Sequence, residues 1–344
     1  MAASAAAAPE EEARCSARAS NGRVMFAAAE PLLSLLASQP TPEGVTETAC
    51  LFTIVHTPSE DQCERIVRDL VAPVATDLRD RPELDSLFYG CFSFPDPQVR
   101  FRVLGSSAWV AGPLRQEMER RLAVLEEKGL ASGHEFGRYQ REVERFGGEE
   151  GMRLTERIYH HDSLACLDLI QAEGRGRLGR SRREIAVAMT ERILDLLRFD
   201  RARRLAFYEF ASRWPSSDGG WKEEDQAAID ARYETLKDGL ASLASEEGKP
   251  GRSEGARDPA VLWGGLEPAR IAEGCLSALR PVMDRVLEAH ASGTTNQDLV
   301  YLAWSWTHMH CNRLGIAAIP EAILRQLMLR HYRRPGLEQI EQIG

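Results

Sequence analysis

Long apolar segments are missing from this sequence. No run approaches the roughly 20 apolar residues that a helix needs to cross a bilayer. The alanine-rich start, Met1 to Pro9, leads into three consecutive glutamates instead of a basic segment followed by a leucine-rich one. The sequence therefore predicts neither a transmembrane helix nor a signal peptide, and we expect a cytoplasmic protein without a membrane partner.

Cysteines at metal-ligand spacing are also missing. The seven cysteines are scattered and form no CxxC motif, which is typical of reduced thiols and not of a disulfide framework or a zinc ribbon. His160 and His161 are adjacent, so their side chains point apart on a helix. The group His308, His310 and Cys311 has no second cluster at ligand spacing. We therefore expect no metal and no cofactor.

An excess of positive charge is the third absence. The formal net charge is −9 at pH 7, whereas proteins that bind nucleic acid through counterion release are usually basic. No direct nucleic-acid partner is expected.

The composition is that of a globular chain. Its 344 residues, 43% of them hydrophobic, can bury a large core. Residues 1–22 lack apolar periodicity and are predicted to be a disordered tail. We expect one domain over residues 23–344, with a β-rich part at about 45–150 and a helical part at about 151–334. The predicted fold class is α+β: an N-terminal antiparallel β-sheet with covering helices, followed by a mostly α-helical C-terminal half.

The first half contains strand patterns. Three strands are predicted, the last two paired as a hairpin through Pro95-Asp96-Pro97: Thr48–His56, Leu87–Phe94 and Gln98–Leu104. After the first strand, Ser59 and Gln62 have the spacing of a capping box that would start a helix ending near Pro73. Two further segments are a helix predicted at Pro113–Leu130, with the proline first, and Glu135–Phe146, whose periodicity is mixed.

The third strand alternates. Val99, Phe101 and Val103 point one way, while Arg100 and Arg102 point the other. On a solvated face two arginines are ordinary. If other elements cover that face, the arginines must meet anions, because an unpaired buried charge is costly.

Glu142 and Arg145 are three residues apart. This spacing brings side chains together on a helix or across a turn but not on a regular strand. The pair can equally be a surface ion pair of little energetic value. Gly147-Gly148 follows, which a tight turn or a close backbone approach explains.

The second half is predicted to be helical almost throughout. Segments with helical periodicity are Met152–Ala172, Arg182–Leu197, Arg201–Trp214, Glu223–Ala244, Pro268–Ala291, Asn296–Leu314 and Glu321–Arg333. Between them, Ser245–Pro259 is predicted to be an exposed loop.

The helix at Asn296–Leu314 contains the histidine of greatest interest. At 3.6 residues per turn, Tyr301, Trp304, His308 and Asn312 share one face. A partly buried imidazole beside hydrogen-bonding groups can exchange a proton near neutral pH. A histidine that is simply satisfied by a partner in the core has the same spacing.

Four sequence blocks, in order, resemble one known family. They are LFYGCFSFPDPQVRFRV, YQREVERFGG, ERIYHHDS and THMHCNRLG, and they resemble blocks in the C-terminal glutamate-elimination domain of class I lanthipeptide dehydratases. The resemblance extends over roughly Thr48 to Arg333. Free-standing relatives in thiopeptide and related pathways include split eliminases and pyridine synthases.

The resemblance implies an active site. Its catalytic residues would be Arg100, Arg102, Glu142, Arg145 and His308, and candidate substrate contacts are Tyr139, Tyr301, Asn312 and Arg313. Expelling glutamate from a glutamyl ester removes a Cα proton and leaves a carboxylate, so the site needs a base and fixed cations. His308 would take or relay the proton, the arginines would bind the anions, and Glu142 would hold an arginine or support the base.

Some residues depart from the family pattern. Gln98 stands where the family has histidine, Ser93-Phe94 where it has Arg-Tyr, and Phe146 where it has tyrosine. We therefore expect substrate orientation to differ.

Three functions stay open at this point. The first is a lyase that forms dehydroalanine or dehydrobutyrine by expelling glutamate. The second is a pyridine synthase that joins two dehydroalanines by a formal aza-[4+2] cycloaddition and releases the leader peptide. The third is a non-catalytic member that binds a peptide or a partner enzyme.

The resemblance also implies partners. A precursor peptide is expected in every case, with its leader added as a strand to an exposed sheet edge in the N-terminal half. A separate tRNA-dependent glutamylating enzyme and self-association into a homodimer are open alternatives.

Overall fold

A computed structural model describes residues 48–93, 95–213, 221–244 and 258–334 of the chain. The predicted tail at 1–22 and most of the loop predicted at 245–259 lie outside these residues. The extent of the predicted domain, from residue 23, stays a prediction. The α+β fold class is confirmed: a small antiparallel sheet comes first and helices dominate the second half.

The sheet has four strands in the order β2-β3-β1-β4, all antiparallel. Their bounds are β1 Thr48–His56, β2 Leu84–Phe92, β3 Gln98–Ser106 and β4 Gly133–Gly137. The first three strands and the β2–β3 hairpin were predicted because their β-branched and aromatic residues give a local signal. The short β4 was not predicted, since it begins and ends with glycine and has no alternating apolar residues.

Short helices cover one face of the sheet. They are α1 Glu60–Ile66, α2 Ala72–Leu78, α3 Ser107–Trp109 and α4 Arg115–Glu127, with π-helical turns at Val67–Val71 and Val110–Leu114. Inward residues of all three long strands, among them Val55, Leu87 and Phe101, form one core with these helices.

Three details of this layer differ from the sequence prediction. Ser59 is the N-cap of α1, but its side chain makes no capping hydrogen bond, so the predicted capping box is wrong. The helix does not end near Pro73, because α1, the π-helical turn and α2 follow one another without a break in helical backbone conformation, and this residue lies within them. Pro113 lies inside a π-helical turn and not at a helix start.

The second half consists of eight helices among the described residues. Their bounds are α5 Glu149–Gly174, α6 Arg182–Leu196, α7 Arg201–Ala211, α8 Glu223–Leu243, α9 Pro259–Trp263, α10 Leu266–Ala291, α11 Leu299–Arg313 and α12 Ala318–Arg333. Seven of them match predicted segments to within a few residues, and α9 was not predicted. None of the described helices combines the length and hydropathy needed to span a membrane.

The two halves meet on the other face of the sheet. Phe88 of β2 and Leu104 of β3 belong to the core of the helical half, together with Met152 and Tyr159 of α5. Helix α11 packs against both α5 and β2. The sheet face that carries the two arginines therefore faces the helical half instead of open solvent.

Candidate active site

Arg102 lies in the middle of this face. It is directly opposite Phe52 of β1 and Phe88 of β2, and opposed residues of antiparallel strands share a face. Its guanidinium carbon lies 4.2 Å from the ring centre of Phe52, 5.6 Å from that of Phe88 and 5.1 Å from that of Tyr139. Three aromatic rings thus surround this cation.

The charge of Arg102 has no close counter-ion in the described part of the chain. No carboxylate there lies within 4 Å of its guanidinium, and its Nε is buried without a hydrogen-bond partner, although the side chain as a whole is half-buried. Burial lowers the pKa of Arg102, and the more distant Glu142 carboxylate acts in the opposite direction. A half-buried cation without a close counter-ion attracts an anion.

Arg100 lies two residues away on the same face and is less enclosed. Its guanidinium carbon lies 4.3 Å from the ring centre of Phe92, and its Nε donates to Oε1 of Gln98 at 2.9 Å. Burial lowers its pKa. Gln98, which departs from the family pattern, is therefore the residue that orients Arg100.

Glu142 and Arg145 meet across a turn that follows β4. Phe146 N–H donates to Glu142 C=O at 3.2 Å, and Nη1 of Arg145 donates to both Glu142 carboxylate oxygens at 3.0 and 2.9 Å. The next residues are Gly147 and Gly148, with φ of +83° and +112°. A side chain at Gly147 would come within 3.0 Å of Gln297, so the predicted close backbone approach is present.

Arg145 also reaches helix α11. Its Nη2 donates to Oγ of Ser305 at 2.9 Å. Burial lowers the pKa of Arg145, but the Glu142 carboxylate, Tyr159 and Tyr301 together outweigh this effect, and the pKa is raised overall. The arginine therefore stays charged between the turn and the helix.

His308 is on the same side of α11 as Ser305, three residues further on. Its Nδ1 lies 2.8 Å from Oε2 of Glu321 in α12, and its ring stacks on Trp304 with centres 5.9 Å apart and planes at 17°. The Glu321 carboxylate is buried and accepts a second bond from Arg325 at 3.3 Å. A carboxylate behind Nδ1 fixes the imidazole and favours proton exchange at Nε2.

Asn312 and Arg313 are bound to the edge of the sheet. Asn312 accepts from Cys91 N–H at 2.8 Å and donates to Cys91 C=O at 2.6 Å. Nε of Arg313 donates to Tyr89 C=O at 3.0 Å, and its Nη1 donates to Asp162 at 2.8 Å. These contacts fix α11 against β2. The polar side-chain atoms of Asn312 and Arg313 that make them therefore hold the site in place.

A cavity of about 570 Å³ opens beside Arg102. It lies between the start of β1 and the segment that follows β4, and its lining includes Cys50, Leu104, Tyr139, Arg138 and Arg141. Arg102 acts electrostatically on the pKa of both Cys50 and Tyr139, so it lies close to this opening. Tyr139 lines the cavity and its ring centre lies 5.1 Å from the guanidinium carbon of Arg102, so the cavity and the cation share this neighbour.

The predicted site residues thus fall into three groups. Arg100, Arg102 and Tyr139 are on the sheet side; Glu142 and Arg145 bridge to α11; Tyr301 and His308 are on α11. Sequence reasoning missed Ser305 and Glu321. Ser305 could have been found from its helical spacing to His308, whereas Glu321 lies on another helix and gave no local signal.

One group of residues has the donor atoms of a metal site. The potential ligand atoms of Asp162, Cys166 and His310 lie within 4.8 Å of one another and are buried. However, Asp162 is already bonded to His310 at 2.6 Å and to Arg313 at 2.8 Å, and burial raises the pKa of the Cys166 thiol well above its usual value. The donor set therefore fits a hydrogen-bonded ion cluster better than a cation site.

Comparison with solved structures identifies proteins of similar fold. The chain is similar to the tRNA-dependent lantibiotic dehydratase MibB from Microbispora sp. 107891, at 23% identity and a TM-score of 0.59, over 88% of this chain and 29% of MibB. It therefore spans less than a third of that protein's length.

Two other structures are similar over nearly their whole length. TsrL has 18% identity and a TM-score of 0.58, over 86% of this chain and 96% of TsrL. The pyridine synthase TbtD from thiomuracin biosynthesis has 14% identity and a TM-score of 0.58, over 82% of this chain and 97% of TbtD. At these identities the likeness shows a shared fold.

No curated protein matches the chain. The family described as lantibiotic biosynthesis dehydratase, C-terminal, does match, over residues 51–332. Since the match covers most of the sequence, this chain belongs to the lantibiotic biosynthesis dehydratase C-terminal family.

Proposed function

We propose that the chain is a lyase that expels glutamate from glutamylated Ser or Thr in a ribosomally made precursor peptide. The observation that carries the proposal is Arg102, a half-buried guanidinium with no carboxylate within 4 Å in the described part of the chain, whose neighbour Tyr139 lines a cavity. Keeping an uncompensated cation in such a place destabilises a fold. A substrate that brings a carboxylate to this position accounts for it.

In the proposed reaction the base is His308. It takes the Cα proton of the modified residue, the electron pair forms the Cα–Cβ double bond, and the bond between Cβ and the ester oxygen breaks. Glutamate leaves with that oxygen as part of a carboxylate, so atoms and charge balance. Glu321 stabilises the imidazolium that forms, because its carboxylate lies 2.8 Å from Nδ1.

The arginines act on the two developing anions. Arg102 is the residue we assign to the departing carboxylate, since its charge is the least compensated. Arg145 lies near α11 and His308, so we assign it to the enolate-like oxygen of the substrate backbone. Glu142 holds Arg145 by two hydrogen bonds, and Arg100 adds positive charge on the same sheet face.

A second candidate is the pyridine synthase reaction. It is favoured by the match of this chain to 97% of the length of TbtD. That reaction joins two dehydroalanines and expels water and the leader peptide, so it does not need a cation for glutamate. The charge of Arg102 is the reason for placing elimination first.

Mass spectrometry separates the two candidates. The purified protein is incubated with a glutamylated precursor peptide and, separately, with the same peptide carrying dehydroalanines. Loss of glutamate as a unit from the first peptide, abolished by Arg102→Met and by His308→Ala, is the expected result. An Arg120→Ala variant serves as a control, because this exposed arginine only pairs with Glu117. Ring formation with leader release from the second peptide would instead establish the cycloaddition, and no change in either peptide would leave a binding role.

A further inference from the structure

Arg102 and a buried carboxylate contact the same tyrosine, Tyr139. The carboxylate of Glu156 in α5 is buried, and its Oε1 accepts from the Tyr139 hydroxyl at 3.1 Å. The ring of the same tyrosine is one of the three that surround Arg102. Both charges also act on the Cys50 thiol, whose pKa burial raises to about 12, with Arg102 lowering it and Glu156 raising it. One tyrosine thus contacts both a buried carboxylate and a half-buried cation.

Arg141 binds the Glu156 carboxylate. Its Nε donates to Oε1 at 2.9 Å and its Nη2 donates to Oε2 at 3.1 Å. This is the two-pronged geometry in which a guanidinium binds a carboxylate most firmly. The third nitrogen, Nη1, donates to Glu149 at 2.5 Å, so Arg141 is held from both sides.

The arrangement keeps the Glu156 carboxylate apart from the Arg102 guanidinium. These two opposite charges would otherwise attract each other. A carboxylate that lost its cation inside the protein would carry a large desolvation cost and would be drawn to the next available positive group. Arg102 is such a group, since no described carboxylate lies within 4 Å of it. If Glu156 reached Arg102, the substrate carboxylate would have to displace it.

We propose that Arg141 is a positioning residue that holds Glu156 away from Arg102 and so leaves the Arg102 charge available for a carboxylate of the substrate. The inference rests on the proposed function for the identity of that carboxylate, and it gives a role to a residue outside the catalytic set. Tyr139 has the complementary part of separating the two charges, with its ring towards Arg102 and its hydroxyl on Glu156.

Three variants test the inference. Arg141→Ala frees Glu156. The double variant Arg141→Ala with Glu156→Gln removes the charge that would be freed. Glu149→Gln is the matched control, because it removes the exposed partner of Arg141 and leaves the bonds to Glu156 intact.

Two measurements are made on each variant: the kinetics of glutamate release from a glutamylated peptide, and the Kd of L-glutamate by calorimetry. For Arg141→Ala we expect the rate of glutamate release and the affinity for L-glutamate each to fall about tenfold or more, which is the scale of one charge-assisted hydrogen bond. The double variant is expected to recover to within about threefold of wild type, and Glu149→Gln to stay within about the same range.

Rescue is the decisive result, because a merely structural role does not produce it. If the double variant is as poor as Arg141→Ala or poorer, Arg141 only supports the local fold and the inference is wrong. If wild type binds L-glutamate but releases none from the peptide, the proposed function fails while the binding series still tests the inference. If wild type does not bind L-glutamate at all, the inference fails, since a free Arg102 must take a carboxylate.

Discussion

Replacing Arg102 by methionine is expected to make the protein more stable and to remove its activity. Methionine fills the space of the arginine stem among the rings of Phe52, Phe88 and Tyr139 and carries no charge. Replacing a buried ion pair by apolar residues of similar volume is often neutral or stabilising by about 1–4 kcal/mol, and we apply the upper part of this range to the unpaired charge of Arg102. Losing the cation–π contacts offsets roughly 0.5–2 kcal/mol of that. We therefore expect the free energy of unfolding to rise by about 1–2 kcal/mol.

The assay is urea unfolding followed by circular dichroism, with Arg313→Met as the matched comparison. Arg313 is more deeply buried than the half-buried Arg102, and its guanidinium is paired with Asp162 at 2.8 Å. Removing one partner of a buried pair costs about 3–5 kcal/mol, because the other charge is left behind. The two arginine-to-methionine changes should therefore shift stability in opposite directions.

A clear result would refute this reasoning. If Arg102→Met lowers the free energy of unfolding by more than about 1 kcal/mol, the guanidinium contributes to the fold and is not an uncompensated charge kept for a ligand. Glutamate release by Arg102→Met at the wild-type rate would argue equally against the role assigned to Arg102.

Three further predictions follow from individual contacts. Glu321→Gln removes the charge behind His308. In steady-state kinetics it is expected to lower kcat for glutamate release by roughly 10–100-fold with little change in KM. An unchanged kcat would contradict a role of Glu321 in supporting the base. Asn312→Ala leaves the N–H and C=O of Cys91 unpaired at the sheet edge. It should reduce the free energy of unfolding by about 1–3 kcal/mol in urea titrations. A loss below about 0.5 kcal/mol would show that water replaces the amide. Burial lowers the pKa of His160 from 6.5 to about 4, so below pH 6.5 the unfolded chain binds a proton that the native state does not bind. The free energy of unfolding is therefore expected to fall as the pH drops from 6.5 to about 4, by about 3 kcal/mol in all. A His160→Gln variant with an equally steep pH dependence would contradict this assignment.

The sequence predicted those parts of the fold whose signal is local. Alternation placed Arg100 and Arg102 on one face of β3, and helical periodicity placed Tyr301 and His308 on one face of α11. In both cases neighbouring residues determine the geometry. The α+β class and the family followed from such segments taken in order.

Partners from distant segments were not predictable in this way. Glu321 reaches His308 from a separate helix, and Glu156 meets Arg141 only because the segment after β4 folds back against α5. Strand β4 exists because β1 offers it a pairing edge, not because its own residues favour a strand. No periodicity within a single segment encodes these pairings.

Asn312 and Arg313 show the same limit for function. Sequence blocks that resemble a family suggested them as substrate contacts, but a block gives the order of residues and not what they touch. In the structure they bond to Cys91 and Tyr89 at the outer edge of β2. Their direct contact with substrate stays an untested prediction.

The edge of β2 connects stability to the proposed chemistry. Along this edge, side chains take the place of a fifth strand: His160 and Ser163 of α5 accept from Leu87 and Tyr89 N–H, and Asn312 and Arg313 of α11 continue the series. Covering an edge in this way prevents pairing with another chain, so the strand addition predicted for a leader peptide would have to use the β4 side of the sheet. It also fixes α11 against the strand that neighbours β3. Because Ser305 and the proposed base His308 lie on α11 and Arg102 lies on β3, we expect that loosening the hydrogen bonds at this edge shifts these groups relative to one another and slows the proposed glutamate release without removing any group that would perform it.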